Sequence, residues 1–247
     1  MKVAVDKDLD SQLAIVLPVH NEAQVVEKVL MTHYLRIASR IPSRLVVGED
    51  GSTDNTREVL HALMDKIPME LFSGPERKGY AKAVSDLLRK IDTEWIFFSD
   101  SDGQYSPDDF WNLWNNRGKY DMIVGRKMKR RDSAYRTVLA RGFHEILNFL
   151  FHLDLHDADC GFRLVRKRVV EAIIDSVGVL KYSFWAEFTV RACMAGFNVC
   201  EIPISHAMRK NGGSHIYGPT KIPIIVLGQF EGLAKLYRDI MSSRSDV

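Results

Sequence analysis

Three runs of apolar and β-branched residues constrain the fold of this chain most, because each ends in polar residues and is followed by a helical pattern. They are Leu13–Val19, Arg44–Glu49 and Glu94–Asp100, and Met69–Gly74 is a weaker run of the same kind. Short buried strands that alternate with helices predict an α/β fold, a mainly parallel central sheet with helices on both faces. Ligands of such folds bind beyond the carboxyl ends of the strands, so functional residues are expected in the loops there.

The pattern changes after a further apolar run at Asp121–Arg126. A long helix is predicted over about 133–153, then a short strand near 162, two more helices and a late strand at Asn198–Ser205. A loop rich in glycine and polar residues follows, and an apolar helix over about 220–239 ends the pattern. The 247 residues suffice for one large core, and no repeat or linker interrupts them, so one domain is expected.

Composition excludes several classes of protein. The formal net charge is only +2, which is unlike a strongly basic nucleic-acid-binding protein, so no nucleic-acid partner is expected. The three cysteines show neither a CxxC spacing nor an even number, so neither a disulfide framework nor a zinc site is predicted. The charged N-terminus is unlike a signal peptide, and no apolar run reaches about 18 residues. A cytoplasmic protein is therefore expected.

The strongest local signal is the sequence FFSDSDGQY, in which a strand runs into Asp100, Ser101 and Asp102. Two carboxylates two residues apart at a strand end can approach one hard cation. Mg²⁺ and Mn²⁺ prefer such oxygen ligands and often share them with substrate phosphates. The alternative is an ordinary turn, since Asp, Ser and Gly are common turn residues.

A second polar group, in VVGEDGSTDNT, follows another strand. The Asp50 carboxylate is a candidate to accept a hydrogen bond from a nucleobase or ribose, whereas Asp54 is expected to satisfy free amides at the start of a helix. The first strand ends in Pro18, His20 and Glu22, where a dinucleotide-binding fold would carry GxGxxG. Because that motif and the P-loop are missing, a nicotinamide or flavin oxidoreductase is disfavoured.

These segments, taken in order, resemble the family 2 glycosyltransferases with the GT-A fold, and the resemblance covers nearly the whole chain. Its first-half motifs are LPVHNE, GEDGSTDNT, GPERKGYAKAV and SDSDGQ. Its second-half motifs are VGRK, RTVLARGFHEILNFLF, DADCGFRLV and FWAEFTVRACMAGFNVCEIPISHAMRKNGGS. The subgroup that the chain resembles most is the dolichyl-phosphate mannose synthase type. His20, Ala140 and His215 depart from its pattern, standing where tyrosine, serine and lysine are frequent.

The resemblance implies a site for a nucleotide diphosphate sugar and for Mg²⁺ or Mn²⁺. The implied donor-binding residues are Pro18, His20, Glu22, Asp50, Lys78, Gly79, Asp100 and Ser101. The implied metal ligands are Asp100, Asp102 and Gln104. It also divides the domain into a nucleotide-sugar-binding half at about 12–126, an acceptor half at about 127–218 and a terminal amphipathic helix at about 219–240.

For the acceptor, the resemblance implies a polyprenyl phosphate bound by Arg126, Arg141, Arg209 and Ser214. Arginine suits this task because its planar fork pairs with two phosphate oxygens. Most cations nearby are expected to be ordinary surface charges.

The implied reaction inverts the configuration at the anomeric carbon. Its catalytic candidates are Asp102, Arg209 and Glu187. A phosphate acceptor needs no general base because it is already anionic. A glycan hydroxyl, as in cell-envelope polysaccharide synthesis, would need one, and Glu187 is the candidate for that base. For a phosphate acceptor, Glu187 is instead expected to pair with Arg191, four residues on. A non-catalytic nucleotide-binding protein is the second alternative.

The helix over about 220–240 carries many apolar residues beside Lys235 and Arg238. It is predicted either to lie on a membrane surface or to pack in a core or an oligomer. Membrane contact, if any, is then expected to be peripheral or through a membrane partner protein, and a homo-oligomer is the other option.

Overall fold

One seven-stranded sheet, in the order β3-β2-β1-β4-β6-β5-β7, forms the centre of the computed structural model. The structure describes residues 12–128, 134–207 and 222–245. The strands are β1 (Leu13–Val19), β2 (Ser43–Asp50), β3 (Glu70–Gly74), β4 (Trp95–Ser99), β5 (Met122–Lys127), β6 (Phe162–Arg166) and β7 (Val199–Ile204). The prediction of a mainly parallel sheet is confirmed, since β6 is the one described strand that runs antiparallel to its neighbours, β4 and β5.

Eight α-helices connect the described strands or follow them. They are α1 (Val26–His33), α2 (Thr56–Met64), α3 (Tyr80–Arg89), α4 (Phe110–Trp114), α5 (Ala134–Phe151), α6 (Lys167–Ile173), α7 (Phe184–Met194) and α8 (Ile222–Ser245). Ser106 followed by Pro107 predicts the start of a helix that Ser106 caps. The structure begins there instead with a 3₁₀ turn, Pro107–Asp109, and the Ser106 side chain makes no capping hydrogen bond, so the predicted cap is wrong.

Strand β1 is buried because β2 and β4 flank it and side chains cover both faces of the sheet. Leu13, Ile15 and Leu17 are each 0% exposed. Burying an aliphatic side chain of this size contributes about 1.5–3 kcal/mol. The continuous apolar run of β1 is therefore typical of a central parallel strand rather than of a strand with one face in water.

The sheet brings several loops to one edge. Strands β1, β2, β4, β5 and β7 run in the same direction, so their carboxyl ends lie at that edge. Strand β6 runs the other way and starts there, because Phe162 pairs with Ser99 at the end of β4. The residues that precede β6 consequently lie beside those that follow β4. These two short segments form the centre of the site described below.

A second, smaller apolar cluster joins α5, α7 and α8, with Leu147, Phe151 and Leu236 among its buried members. The outer side of α8 is different: Ile224, Leu227 and Phe230 are 67%, 64% and 53% exposed. We call these three residues the exposed face of α8. Within the part of the chain that the structure describes, no helix is long and apolar enough to cross a membrane.

His33, buried at the end of α1, makes the stability of the fold depend on pH. Its Nδ1–H donates to the carbonyl oxygen of Val29 at 2.9 Å, and its buried Nε2 has no hydrogen-bond partner among the described residues. Burial lowers the pKa of His33 from 6.5 to about 4. Between these values the unfolded chain binds a proton that the folded chain rejects, so the free energy of unfolding falls as the pH falls.

We expect a loss of about 2 kcal/mol between pH 7 and pH 5 from this residue, measured by urea unfolding. The His33→Gln variant should lose that part of the pH dependence. His61→Gln, which changes an exposed histidine of α2, is the matched control and should keep it. Equal pH dependence in His33→Gln and the unsubstituted chain would contradict the prediction.

Candidate functional site

Asp100, expected to bind the cation, directly follows β4, and its carboxylate is held from two sides. Its Oδ1 accepts a hydrogen bond of 2.8 Å from the Tyr80 hydroxyl. A Cβ added to Gly161 would lie 2.0 Å from Oδ2, so the carboxylate fills the space where a side chain would otherwise be. Burial, and secondly the charge of Asp102, raise the pKa of Asp100 to about 7. These contacts therefore fix the position of the Asp100 carboxylate, whereas burial and the charge of Asp102 disfavour its ionised form.

Asp102 lies in the turn after Asp100, where its Oδ1 accepts the backbone N–H of Gln104 at 3.1 Å. The Gln104 side chain, expected to be a metal ligand, donates from Nε2 to the carbonyl oxygen of Ala207 at 3.0 Å. The backbone N–H of Ala207 donates in turn to the Gln104 carbonyl oxygen at 2.8 Å. Gln104 therefore joins this turn to the segment after β7. Its role as a ligand stays a prediction.

The chemistry of Asp100 and Asp102 fits a hard divalent cation. Among the described residues there is no cluster of three or more His, Cys, Asp or Glu side chains that could hold a metal ion. A cation here would take two carboxylates from the chain and its other ligands from water or phosphate, as Mg²⁺ commonly does. Its charge would also oppose the burial and the repulsion that raise the pKa of Asp100.

Asp50, expected to contact the nucleotide, uses both carboxylate oxygens to shape the loop before α3. Oδ1 accepts the backbone N–H of Lys78 at 2.7 Å, and Oδ2 accepts that of Gly79 at 2.9 Å. Gly79 has a φ of 87°, which favours glycine. The Lys78 ammonium pairs with Asp86 at 2.8 Å on the surface. The role of these residues in donor binding stays a prediction, and each oxygen of Asp50 keeps a second lone pair for it.

The loop after β1 packs onto the loops that follow its two neighbouring strands. Ser101 Oγ donates to the carbonyl oxygen of Pro18 at 2.6 Å. His20 donates from Nδ1 to the last carbonyl oxygen of β2 at 2.8 Å. The backbone N–H of Glu22 donates to Thr56 Oγ1 at 2.9 Å. The structure therefore brings the predicted donor-binding residues of three separate segments to one place.

The predicted acceptor residues are only partly within the described structure. Arg126 is half-buried near the end of β5, at the same sheet edge as Asp100, whereas Arg141 is exposed on α5. Arg209 and Ser214 lie outside the described residues. Asp100 and Arg126 thus share a sheet edge, while a phosphate-binding role for the four predicted residues stays a prediction.

Glu187, the candidate base, is 0% exposed near the start of α7. Its Oε2 accepts the backbone N–H groups of Gly178 and Leu180 at 3.1 and 2.7 Å. Its Oε1 accepts a hydrogen bond from Arg191 Nε at 2.9 Å. The ion pair with Arg191 that we expected for a phosphate acceptor is confirmed. These partners give Glu187 a structural task, holding the loop before α7.

Three residues contact or surround Asp100 in a way that was not predicted from the sequence. Tyr80 and Trp185 form a chain of hydrogen bonds to Asp100, and Gly161 makes room for that carboxylate. All three lie inside motifs that carry the family resemblance. Trp185 is 105 residues from Tyr80, and no local pattern indicates their contact.

Known proteins resemble this chain in sequence. The sequence model of glycosyl transferase family 2 matches residues 14–174. Glycosyltransferase AglD of Haloferax volcanii is 26% identical over 205 residues, which are 78% of this chain but 32% of the longer AglD. Polyprenol monophosphomannose synthase of Mycolicibacterium smegmatis is 26% identical over 221 residues, which are 83% of this chain and 80% of that protein.

A solved structure also resembles this chain in fold. It is glucosyl-3-phosphoglycerate synthase from Mycobacterium tuberculosis in complex with Mn²⁺, UDP and phosphoglyceric acid. The TM-score is 0.71 at 15% identity, over 91% of this chain and 78% of that one. The α/β architecture predicted from the sequence is therefore the one found in that enzyme.

Proposed function

Because the chain belongs to glycosyl transferase family 2, we propose that it moves a sugar from a nucleotide diphosphate donor to a polyprenyl phosphate. The observation that carries this proposal is the pair Asp100 and Asp102 at the carboxyl end of β4, beside the loops that follow β1 and β2. A carboxylate pair at this edge can hold a cation where a nucleoside diphosphate would bind. The Mn²⁺ and UDP bound by the mycobacterial structure support this assignment.

The chain would hold Mg²⁺ or Mn²⁺ through Asp100 and Asp102. Such a cation, when bound, neutralises the negative charge that grows on a departing nucleoside diphosphate. The protein itself orients both carboxylates: Tyr80 and Gly161 fix Asp100, and the Gln104 N–H fixes Asp102. Fixed orientation matters because small displacements of reacting groups cost large factors in rate.

The acceptor phosphate supplies the nucleophile. One of its oxygens forms a bond to the anomeric carbon as the bond from that carbon to the donor's β-phosphate oxygen breaks. Attack from the side opposite the leaving nucleoside diphosphate inverts the anomeric configuration. A phosphate monoester, with its second pKa near 6, is largely a dianion at neutral pH and has no proton to lose. The backbone and Arg191 contacts of Glu187 support an acceptor that needs no base.

The lipid part of the acceptor implies contact with a membrane surface. We assign that contact to the exposed face of α8, whose three apolar side chains are more than half exposed. Lys235 and Arg238 are exposed on the same helix and suit a surface that carries phosphate groups. The name of the Mycolicibacterium smegmatis relative, which specifies a polyprenol, supports a lipid acceptor.

The test is a transfer assay with the purified chain. It is incubated with UDP- and GDP-hexoses, Mn²⁺ and polyprenyl phosphate in phosphatidylcholine vesicles, and lipid products are identified by mass spectrometry. We expect a polyprenyl phosphate hexose from at least one donor, loss of product with EDTA, and none from polyprenol that lacks the phosphate. The chain should also sediment with these vesicles. Equal transfer to polyprenol, or no lipid product from any donor, would overturn the proposal.

A further inference from the structure

Three side chains from separate parts of the fold form a linear chain of hydrogen bonds that ends at Asp100. Trp185 Nε1 on α7 donates to Tyr80 Oη at 2.8 Å. Tyr80, the first residue of α3, donates from the same hydroxyl to Asp100 Oδ1 at 2.8 Å. The two bonds therefore connect the nucleotide-binding half of the fold with helix α7 from the other half.

The direction of both hydrogen bonds is fixed by the chemistry of the groups that form them. An indole N–H can only donate, so the Tyr80 oxygen must accept from Trp185. The single proton of the Tyr80 hydroxyl then points at Asp100, whose carboxylate is ionised when it binds a cation and can then only accept. A hydrogen bond to a charged group is also about twice as strong as one between neutral groups. Tyr80 thus presents a fixed donor to one oxygen of Asp100.

Both donors are themselves held firmly. The Trp185 ring packs edge-on against Phe98 at 4.4 Å between centroids, and the Arg163 guanidinium lies 4.0 Å from the Trp185 ring centroid. Tyr80 follows directly after the loop that Asp50 binds through two backbone N–H groups. The position of the Tyr80 hydroxyl is therefore set by contacts on both sides of the site.

We propose that Tyr80 and Trp185 are positioning residues, which hold the Asp100 carboxylate in the orientation that binds the divalent cation. The inference rests on the proposed function, because it assumes that Asp100 binds the cation. Tyr80 acts directly on Asp100, and Trp185 acts through Tyr80. Through the same contacts, the loop held by Asp50 and the start of α7 are coupled to the metal ligand.

The test measures Mn²⁺ affinity from the electron paramagnetic resonance signal of free Mn²⁺, with and without UDP or GDP. Tyr80→Phe, which removes only the hydroxyl, should weaken Mn²⁺ binding by a factor of about 10–100. Tyr237→Phe on α8, where Tyr237 packs its ring near Phe151, is the matched control and should bind as the unsubstituted chain does. Circular dichroism and thermal unfolding check that both variants are folded.

Trp185→Phe and the double variant separate positioning from packing. As a single substitution, Trp185→Phe should weaken Mn²⁺ binding. Added to Tyr80→Phe, it should weaken Mn²⁺ binding no further. Trp111→Phe is the matched control, because it removes a buried indole N–H that has no hydrogen-bond partner within the described part of the chain. Additive losses would show that Trp185 acts by packing and would overturn its part in the proposal.

The outcomes also separate this inference from the proposed function. If the unsubstituted chain binds Mn²⁺ and Tyr80→Phe binds it equally well, only the positioning inference fails. If the unsubstituted chain binds no Mn²⁺ in the presence of either nucleotide, the metal site fails, and both proposals fail with it.

Discussion

Asp102→Asn is expected to lower the rate of sugar transfer by a factor of about 100–1,000, because it removes one of two carboxylates for the cation. Asparagine keeps the size of the side chain and an oxygen that can accept the Gln104 N–H, so the turn should stay intact. The loss should therefore lie in cation binding and in the rate, with little change in the thermal unfolding midpoint. The measurement is lipid-linked product formed per unit time over a range of Mn²⁺ concentrations.

Asp108→Asn is the matched control for this experiment. Asp108 carries the same side chain, six residues further on, but its carboxylate is largely exposed and lies 3.8 Å from Arg36. Exposed pairs of this kind contribute little to stability, so this variant should keep the rate and the Mn²⁺ dependence. Transfer by Asp102→Asn that remains fully stimulated by Mn²⁺ would show that the cation binds elsewhere.

The sequence predicted the sheet well because its strands are continuous apolar runs with clear polar ends. Each run predicted as a strand is present, and even the weaker run at Met69–Gly74 forms β3. The helix-start role expected for Asp54 is confirmed, since its Oδ1 accepts the backbone N–H of Thr56 at 3.0 Å. The strands are recognised from their apolar runs, and Asp54 contacts a residue only two positions further on. Both features can therefore be predicted from a single sequence.

The sequence could not predict how side chains from distant segments meet. The Asp50 carboxylate binds backbone groups 28 and 29 residues away. The Gln104 amide contacts the carbonyl of Ala207, 103 residues away. The residue type limits which groups a side chain can bind, but the packing of the whole sheet determines which distant residue it meets. The burial of Glu187 is likewise set by the loop before α7, and nothing in its helical spacing indicates it.

Gly161→Ala is expected to have the second large effect, because position 161 has no room for a side chain. The added Cβ would lie 2.0 Å from Asp100 Oδ2 and 2.6 Å from Cγ, far inside contact distance. Gly161 is not among the glycines with positive φ, so lack of space, rather than backbone conformation, excludes alanine there. The two residues are also hydrogen-bonded through their backbones, since the Asp100 N–H donates to the Gly161 carbonyl oxygen at 3.0 Å.

The methyl group must therefore push the Asp100 carboxylate out of its place between Tyr80 and residue 161. A displacement of about 1 Å at a reacting centre can cost a factor of about 100, and we expect at least that loss in transfer rate together with weaker Mn²⁺ binding. The matched control is Gly142→Ala on α5, where an added Cβ meets no described atom within 4 Å outside the neighbouring backbone of the helix itself. It should keep the rate and, as a helical substitution, raise stability by up to about 1 kcal/mol.

The pair of alanine variants also tests whether the Asp100 orientation, and not only its charge, matters for the reaction. Gly161→Ala leaves both carboxylates and the hydroxyl of Tyr80 in the chain, so no ligand or donor is lost. If it transfers sugar at the normal rate, the carboxylate works equally well in another orientation, and its placement by Tyr80 and residue 161 has no catalytic purpose. If the rate falls while the thermal unfolding midpoint changes little, the orientation that Tyr80 and residue 161 give to the Asp100 carboxylate itself contributes to the rate.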